Sequence, residues 1–314
     1  MEVNEFSIKG VSERIRGVGK MNKMKLGYDG QRRLIIVLFS ALPVFLLLLF
    51  SYYPLFKMVQ YSFTNWNGIS PTSENVGWDN YIRIFTTPEY FSVFKVSLYY
   101  FFATFVQLGI ALYFATVLTF KVKFANLWKG ILFFPYLLNG VAIGFIFLYF
   151  YKGGGTLDTV LNFLGLEDQI RLWLGDRSIN NVSMAFTSIW RYMGFNFIIF
   201  LGAIQSIDSE IYEAAEIDGA NRWQQFRYII MPSIKQIIFL NIILGISGSL
   251  SVFEIPYIMT GGSNGTKTFV IQTIDTAFKF SKVGLASAMA LVLLVIVIVV
   301  TLLQQFLTRE KGAK

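Results

Sequence analysis

Long apolar runs alternate with short polar stretches along most of this chain. The runs fall at about 34–56, 92–120, 130–151, 183–205, 233–256 and 283–306. A helix needs about 20 mainly apolar residues to cross the roughly 30 Å hydrocarbon core of a bilayer, and each run reaches that length. Pro43 and Pro54 in the first run and Pro135 in the third are tolerated in such helices. The pattern predicts an all-α polytopic membrane protein with six transmembrane helices over residues 34–307. Residues 1–33 are polar, interrupted by Gly10, Gly17, Gly19, Gly27 and Gly30, and read as an arm. The apolar run after them is too long for the h-region of a signal peptide. Residues 308–314 form a polar tail.

The longest polar stretch between two apolar runs in the second half is Ser206 to Pro232, SIDSEIYEAAEIDGANRWQQFRYIIMP. Ile211, Ala214 and Ala215 stand at helical spacing, with Glu210, Glu213 and Glu216 on other faces. Asp218-Gly219 is a helix stop, because glycine accepts the left-handed conformation of a C-terminal cap. Asn221 can cap a second helix whose apolar stripe is Trp223, Phe226 and Ile230. Pro232 suits the first turn of the next helix. A hairpin of two short wet helices between two membrane spans is suited to docking something in the water.

Charge orients the chain. With six spans, seventeen Lys and Arg fall in segments on the N-terminal side and eight on the other. The excess marks the cytoplasmic face, so both termini and the hairpin are expected inside, in a bacterial cytoplasmic membrane. With no Cys among its 314 residues, the chain has no disulfide, thiolate nucleophile or Cys-ligated metal, and with no His it lacks the commonest general base. A membrane enzyme is therefore disfavoured. No G-x-x-x-x-G-K-[ST] loop is present, so any ATP-driven motor must be a separate chain, and no cofactor is expected.

Glu213-Ala214-Ala215, then Gly219, then Met231-Pro232 resembles the EAA loop of permease subunits of ABC importers. The words IYEAAEIDGANRWQQF are most similar to the maltose-type, carbohydrate-importing branch. SFTNWNG and VGWDNYIRIF in the first outer loop, and TGGSNGTKTFVIQTIDTAFKFSKVGLASAMA before the last span, resemble the same family. The family often has Pro where Ser263 or Asn264 stands, so that turn is expected to differ in shape. The resemblance implies the MetI-like ABC importer permease fold. It also implies a cytoplasmic coupling helix seated in an ATPase cleft, with Glu213, Ala214, Ala215, Asp218 and Gly219 as the coupling residues.

Ionisable groups inside spans are costly, which singles out Glu254 in SGSLSVFEIPYIMTGG, near Gly245 and Gly248. By the resemblance, Leu250, Ser251 and Glu254 line the substrate pathway, and so do Trp190, Gly194 and Asn196 of IWRYMGFNF. An aromatic face can stack on a sugar and an amide can bond its hydroxyls. Asn139 is a further candidate of this kind. Each has a plainer reading: Glu254 reaching out to interfacial water, Trp190 in an aromatic belt, the hairpin acids on a solvated face. The resemblance implies a second permease subunit in a heterodimer, two ATPase subunits, an extracytoplasmic solute-binding protein and a carbohydrate substrate, with no nucleic acid. Alternatives are a permease for another solute such as glycerol phosphate, or an ion-coupled secondary transporter, for which no inverted repeat is evident.

Overall fold

The computed structural model describes residues 27–120 and 122–308. Most of the expected N-terminal arm and nearly all of the tail lie outside the described residues. The chain divides into two compact units, 1–57 and 58–314. The first unit holds helix α1, Tyr28–Ser62, up to the boundary. It begins five residues before the expected end of the arm at residue 33, so Arg32 and Arg33 are helical. One π-helical turn, Leu48–Tyr52, precedes Pro54, whose missing N–H could not have continued the regular ladder.

The second unit is nearly all helix: α2 (Asp79–Thr86), α3 (Pro88–Thr119), α4 (Ala125–Leu137), α5 (Gly140–Tyr151), α6 (Thr156–Phe163) and α7 (Asn180–Gln205). The hairpin follows, with α8 (Ser209–Ile217) and the short α9 (Arg222–Gln225), and then α10 (Lys235–Leu250), α11 (Glu254–Thr260), α12 (Phe269–Ile274) and α13 (Val283–Thr308). Among the described residues five helices are long and apolar enough to cross a membrane: α1, α3, α7, the α10–α11 segment Lys235–Thr260, and α13. The third expected span is not one straight helix. It is the pair α4 and α5, bent by 97°. Leu138 and Asn139 are extended at the break, and the Asn139 side chain accepts the Val141 N–H at 2.8 Å, so the residue expected as a pathway candidate caps α5 instead.

The packing shows that this bent pair still makes one crossing. α3 and α7 lie side by side and run the same way. Leu108, Ala111, Ala115 and Leu118 of α3 pack at one end with Phe197, Phe200, Leu201 and Ile204 of α7, and with Ile230 and Ile234 beyond the hairpin. Ala125, at the start of α4, joins this cluster. Val96 and Tyr100 of α3 pack at the opposite end with Met184 of α7, Ile143, Phe147 and Tyr151 of α5, and Ile255 and Met259 of α11. Because α4 starts at one end and α5 finishes at the other, the chain has returned across the layer. Five crossings result in the second unit among the described residues, with the hairpin on the same side as the α3–α4 turn.

A third cluster joins Ile84 and Tyr90 to Phe269, Leu285, Ala288, Met289 and Val292. Here the small residues Ala286, Ser287 and Ala288 are all buried, and small side chains allow close helix packing. Gly284 lies so near the Thr64 carbonyl that any Cβ would strike it, and its N–H donates to Trp66 O at 2.9 Å. The two loop words of the first outer segment meet in space. Asn80 Nδ2 donates to Ser62 O at 2.8 Å and Thr64 O at 2.9 Å, and Trp78 packs edge-on to Phe63 at 5.2 Å. The turn after α11 is left-handed at Gly261, Gly262, Asn264 and Gly265. Asn180 of α7 bonds its Asn264 carbonyl at 2.8 Å. A proline at 264 could not adopt that positive φ, so the asparagine fits the shape found here.

Asp275 follows α12, is 2% exposed, and sits between Lys267 Nζ at 3.1 Å and Lys279 Nζ at 2.7 Å. Burial pushes its carboxyl up, but bonds and charge from the two lysines outweigh this and hold it below the usual carboxylate range. A depressed carboxylate contributes stability above its unfolded value of about 3.9 and loses it as pH falls through the folded value. Melting of purified protein should therefore fall less steeply below about pH 4 in Asp275→Asn than in the parent, which thermal scans from pH 7 to 3 will show. At neutral pH the same variant should be less stable by about 1–2 kcal/mol, since it loses charge-assisted bonds to two partly exposed lysines.

Candidate functional site

Between the two end clusters, at the middle of α3 and α7, lies a cavity of about 470 Å³. Its position follows from the side chains. The positions of α3 and α7 that are apolar at the two ends become polar at mid-height. Tyr100, Thr104 and Gln107 face it from α3, Ser188, Tyr192 and Asn196 from α7, and Asn241, Gly248 and Ser249 from α10. Thr104 is held by the Tyr100 carbonyl at 3.0 Å and reaches the Gly245 carbonyl at 3.3 Å. Gly245 allows this approach, for a Cβ there would run into the Thr104 side chain. Gly248 faces open space, so its lack of a side chain widens the cavity. The Tyr100 hydroxyl and the Asn241 amide oxygen are buried with no hydrogen-bond partner among the described residues. Such groups are expensive to leave unmet.

One end of the cavity is closed by an ion pair. Arg191 Nη1 donates to Glu254 Oε2 at 2.6 Å, with the arginine side chain 13% exposed and the glutamate 48%. The pair sits where both interrupted spans break. α10 ends at Leu250 and α11 restarts at Glu254, while α5 restarts at Gly140. A Cβ on Gly140 would strike the Glu254 carboxylate and the Arg191 guanidinium, so glycine is what lets the pair seat against the start of α5. The positive end of a helix favours a carboxylate there. The guanidinium also lies over the Tyr192 ring, 4.9 Å from its centroid.

The expected pathway residues separate. Asn196, Ser251 and Glu254 line the cavity. Leu250 is half-buried beside it without lining it. Trp190 turns the other way, its ring 5.1 Å from Phe147 in the cluster that includes α5 and α11. Gly194 is a packing residue, since a Cβ would strike the Leu132 carbonyl of α4. Tyr100, Thr104, Gln107 and Asn241 were not singled out beforehand. Thr104 and Gln107, three apart on one helical face of an apolar run, and the lone Asn241 in another, were the available signal.

The hairpin has the form its turn chemistry dictates. α8 starts at Asp208, whose carboxylate accepts the Glu210 N–H at 3.1 Å. It stops with Gly219 at φ +76°, Ala220 N–H bonding Ala215 O at 2.8 Å and Gly219 N–H bonding Glu216 O at 3.1 Å. This is a Schellman termination. Asn221 and Gln224 then form a reciprocal capping box, with bonds of 2.8 and 2.9 Å. Glu213, Ala214, Asp218 and Gly219 are exposed and Ala215 is half-buried. Of the expected stripe, Ile230 is buried and Phe226 packs on the same cluster, whereas Trp223 is 67% exposed. Arg222 pins the hairpin to the end of α3, with its guanidinium 4.1 Å over the Phe120 ring and 3.4 Å from Glu216.

Five crossings in the second unit, with a polar cavity at mid-height and an exposed hairpin at one end, fit a membrane transport subunit. Residues 107–311 match the family described as "Binding-protein-dependent transport system inner membrane component", and the chain belongs to that family. It is 33% identical over 277 residues to "Probable ABC transporter permease protein YurN" of Bacillus subtilis, covering 86% of this chain and 91% of the relative. It is 29% identical over 291 residues to "Diacetylchitobiose uptake system permease protein NgcF" of Streptomyces coelicolor, covering 88% and 82%. Its fold is similar to a chain in the crystal structure of a bacterial ABC transporter that imports the acidic polysaccharide alginate, with TM-score 0.79, 20% identity, and 91% of this chain and 98% of that one covered.

Gly140→Ala should push Glu254 and Arg191 apart and lower stability by about 1–3 kcal/mol, the usual cost of forcing atoms into a filled site. Ala at Gly202, where a Cβ meets nothing within 4 Å, should cost far less. Chemical or thermal unfolding of both purified variants checks the contrast.

Proposed function

We propose that this chain is one permease half of an ATP-driven importer of uncharged carbohydrate. The observation that carries this reading is the mid-bilayer cavity. Its volume falls within the roughly 300–1,000 Å³ usual for small-ligand sites. Its lining offers hydroxyls, amides and tyrosine rings, the groups that meet a sugar's hydroxyls and its apolar face. Of its relatives, NgcF is named for diacetylchitobiose uptake, which supports a saccharide cargo. A glycerol phosphate cargo is less well served, since the one cavity arginine is already neutralised by Glu254. An ion-coupled mechanism wants a carboxylate free to bind a cation, and Glu254 is engaged in the same pair.

The motor is a separate ATPase pair, docked on the hairpin through Glu213, Ala214, Ala215, Asp218 and Gly219. A second, similar permease completes the pathway, and a solute-binding protein delivers cargo on the opposite face. The basic residues Lys123, Lys129, Arg222, Arg227 and Lys235 on the hairpin side support placing that side, and both termini, in the cytoplasm. Motion of the hairpin reaches the cavity by a short route. Arg222 grips Phe120 at the end of α3, and α3 carries Tyr100, Thr104 and Gln107.

Reconstituted with its partners in proteoliposomes, the chain should support sugar uptake on ATP alone, with no ion gradient. Gly219→Pro should abolish that uptake while leaving membrane insertion intact, because proline cannot adopt φ +76° and the angle between α8 and α9 is lost. Unchanged coupling in that variant would show the hairpin is not the mechanical input.

A further inference from the structure

Arg191 and Glu254 are the only charged side chains lining the cavity among the described residues. They touch each other at 2.6 Å, so the cavity holds two charges and no net charge. Neither is placed by chance. Arg191 lies midway along α7, 11 residues from its start at Asn180 and 14 from its end at Gln205. An arginine at that depth is costly, and a solitary one more so. Glu254 is brought to it by the break between α10 and α11, and Gly140 leaves the room for both. Two interruptions of the helical ladder thus converge on neutralising one guanidinium. Arg191 Nε is also buried without a hydrogen-bond partner among the described residues, so the guanidinium keeps an unused donor beside the cavity.

A carboxylate-bearing solute entering this space meets a guanidinium whose charge is already matched and a glutamate that repels it. A neutral polyol meets neither penalty and faces the polar lining of Thr104, Gln107 and Asn196. From this geometry we propose that the Arg191–Glu254 pair sets the charge specificity of the pathway, with Glu254 excluding anionic sugars and Arg191 excluding cationic ones. The proposal rests on the carbohydrate reading for its class of solute and makes a separate statement about charge. Removing one member of the pair leaves the other as a lone charge beside the cavity. The selectivity should then move toward solutes of opposite sign. Glu254→Gln opens the cavity to uronates, and Arg191→Gln opens it to amino sugars.

The test uses the assembled transporter, purified through a tag on this chain and placed in nanodiscs. Binding is read from the concentration dependence of ligand-induced thermal stabilisation, at constant ionic strength. The probes are glucuronamide and glucuronate, alike in shape and differing in charge, with glucosamine as the cation. Parent complex should favour glucuronamide over glucuronate. Glu254→Gln should bind glucuronate tighter than the parent by about tenfold or more, the scale of one charge-assisted bond over a neutral one. The gain should shrink with added salt and vanish in Arg191→Gln/Glu254→Gln. Arg191→Gln should make the mirror gain for glucosamine, which decides the matter if Glu254→Gln fails to assemble. Glucuronamide binding by the parent with no charge-selective gain in an assembled single variant overturns the charge filter and leaves the carbohydrate reading standing. A glucuronate gain in Glu254→Gln with no glucuronamide binding by the parent supports the filter and overturns the reading of an uncharged cargo.

Discussion

A backbone that crosses hydrocarbon has to meet its own hydrogen-bonding needs, and this chain interrupts two of its crossings at the same height. The α4–α5 and α10–α11 breaks leave peptide groups outside the regular helical ladder, which is sustainable only where protein or a polar space surrounds them. Both breaks are gathered around Arg191 and Glu254, with Gly140 allowing the approach. The ion pair and the broken helices therefore require one another. The charges need the breaks to reach each other, and the breaks need a polar neighbourhood. Everything else at mid-height follows from that knot, including the cavity that it bounds.

The knot is held in place from both ends. Close-packed clusters lie on either side of it along α3 and α7, and their shape is fixed by side chains such as Phe197, Phe200 and Ile204 at one end and Ile143 and Met184 at the other, all fully buried. Cores of this density do not deform continuously, so displacement of one end is passed along the helices as a rigid shift. The hairpin enters the nearer core through Phe226 and Ile230 and is fastened to α3 by Arg222 over Phe120. Its outward face stays polar. That combination, anchored inside and wet outside, is what a handle on a helix bundle needs.

The apolar runs that cross and the hairpin's two helices were legible in the sequence because each rests on local physics. Apolar length determines crossings. Gly219 after Asp218 determines a left-handed stop, and Asn221 with Gln224 determines a cap. Harder to read was which face each mid-span residue presents. Trp190, Gly194 and Asn196 stand within seven positions, yet they turn toward Phe147, Leu132 and the cavity respectively. On a helix in hydrocarbon every face is apolar, so periodicity gives no direction.

Sequence alone determined that this chain is a multi-pass helical protein with a water-exposed elbow between its fourth and fifth spans, since those features depend on runs, caps and breakers a few residues apart. Only the tertiary structure decided that the third span bends by 97° and that Glu254 is partnered by an arginine 63 residues away. It likewise decided that Tyr100 and Asn241 face one cavity. Those outcomes depend on which distant segments share a space, and the energy of a charge or an unmet amide inside a bilayer is set by that company rather than by its neighbours in the chain.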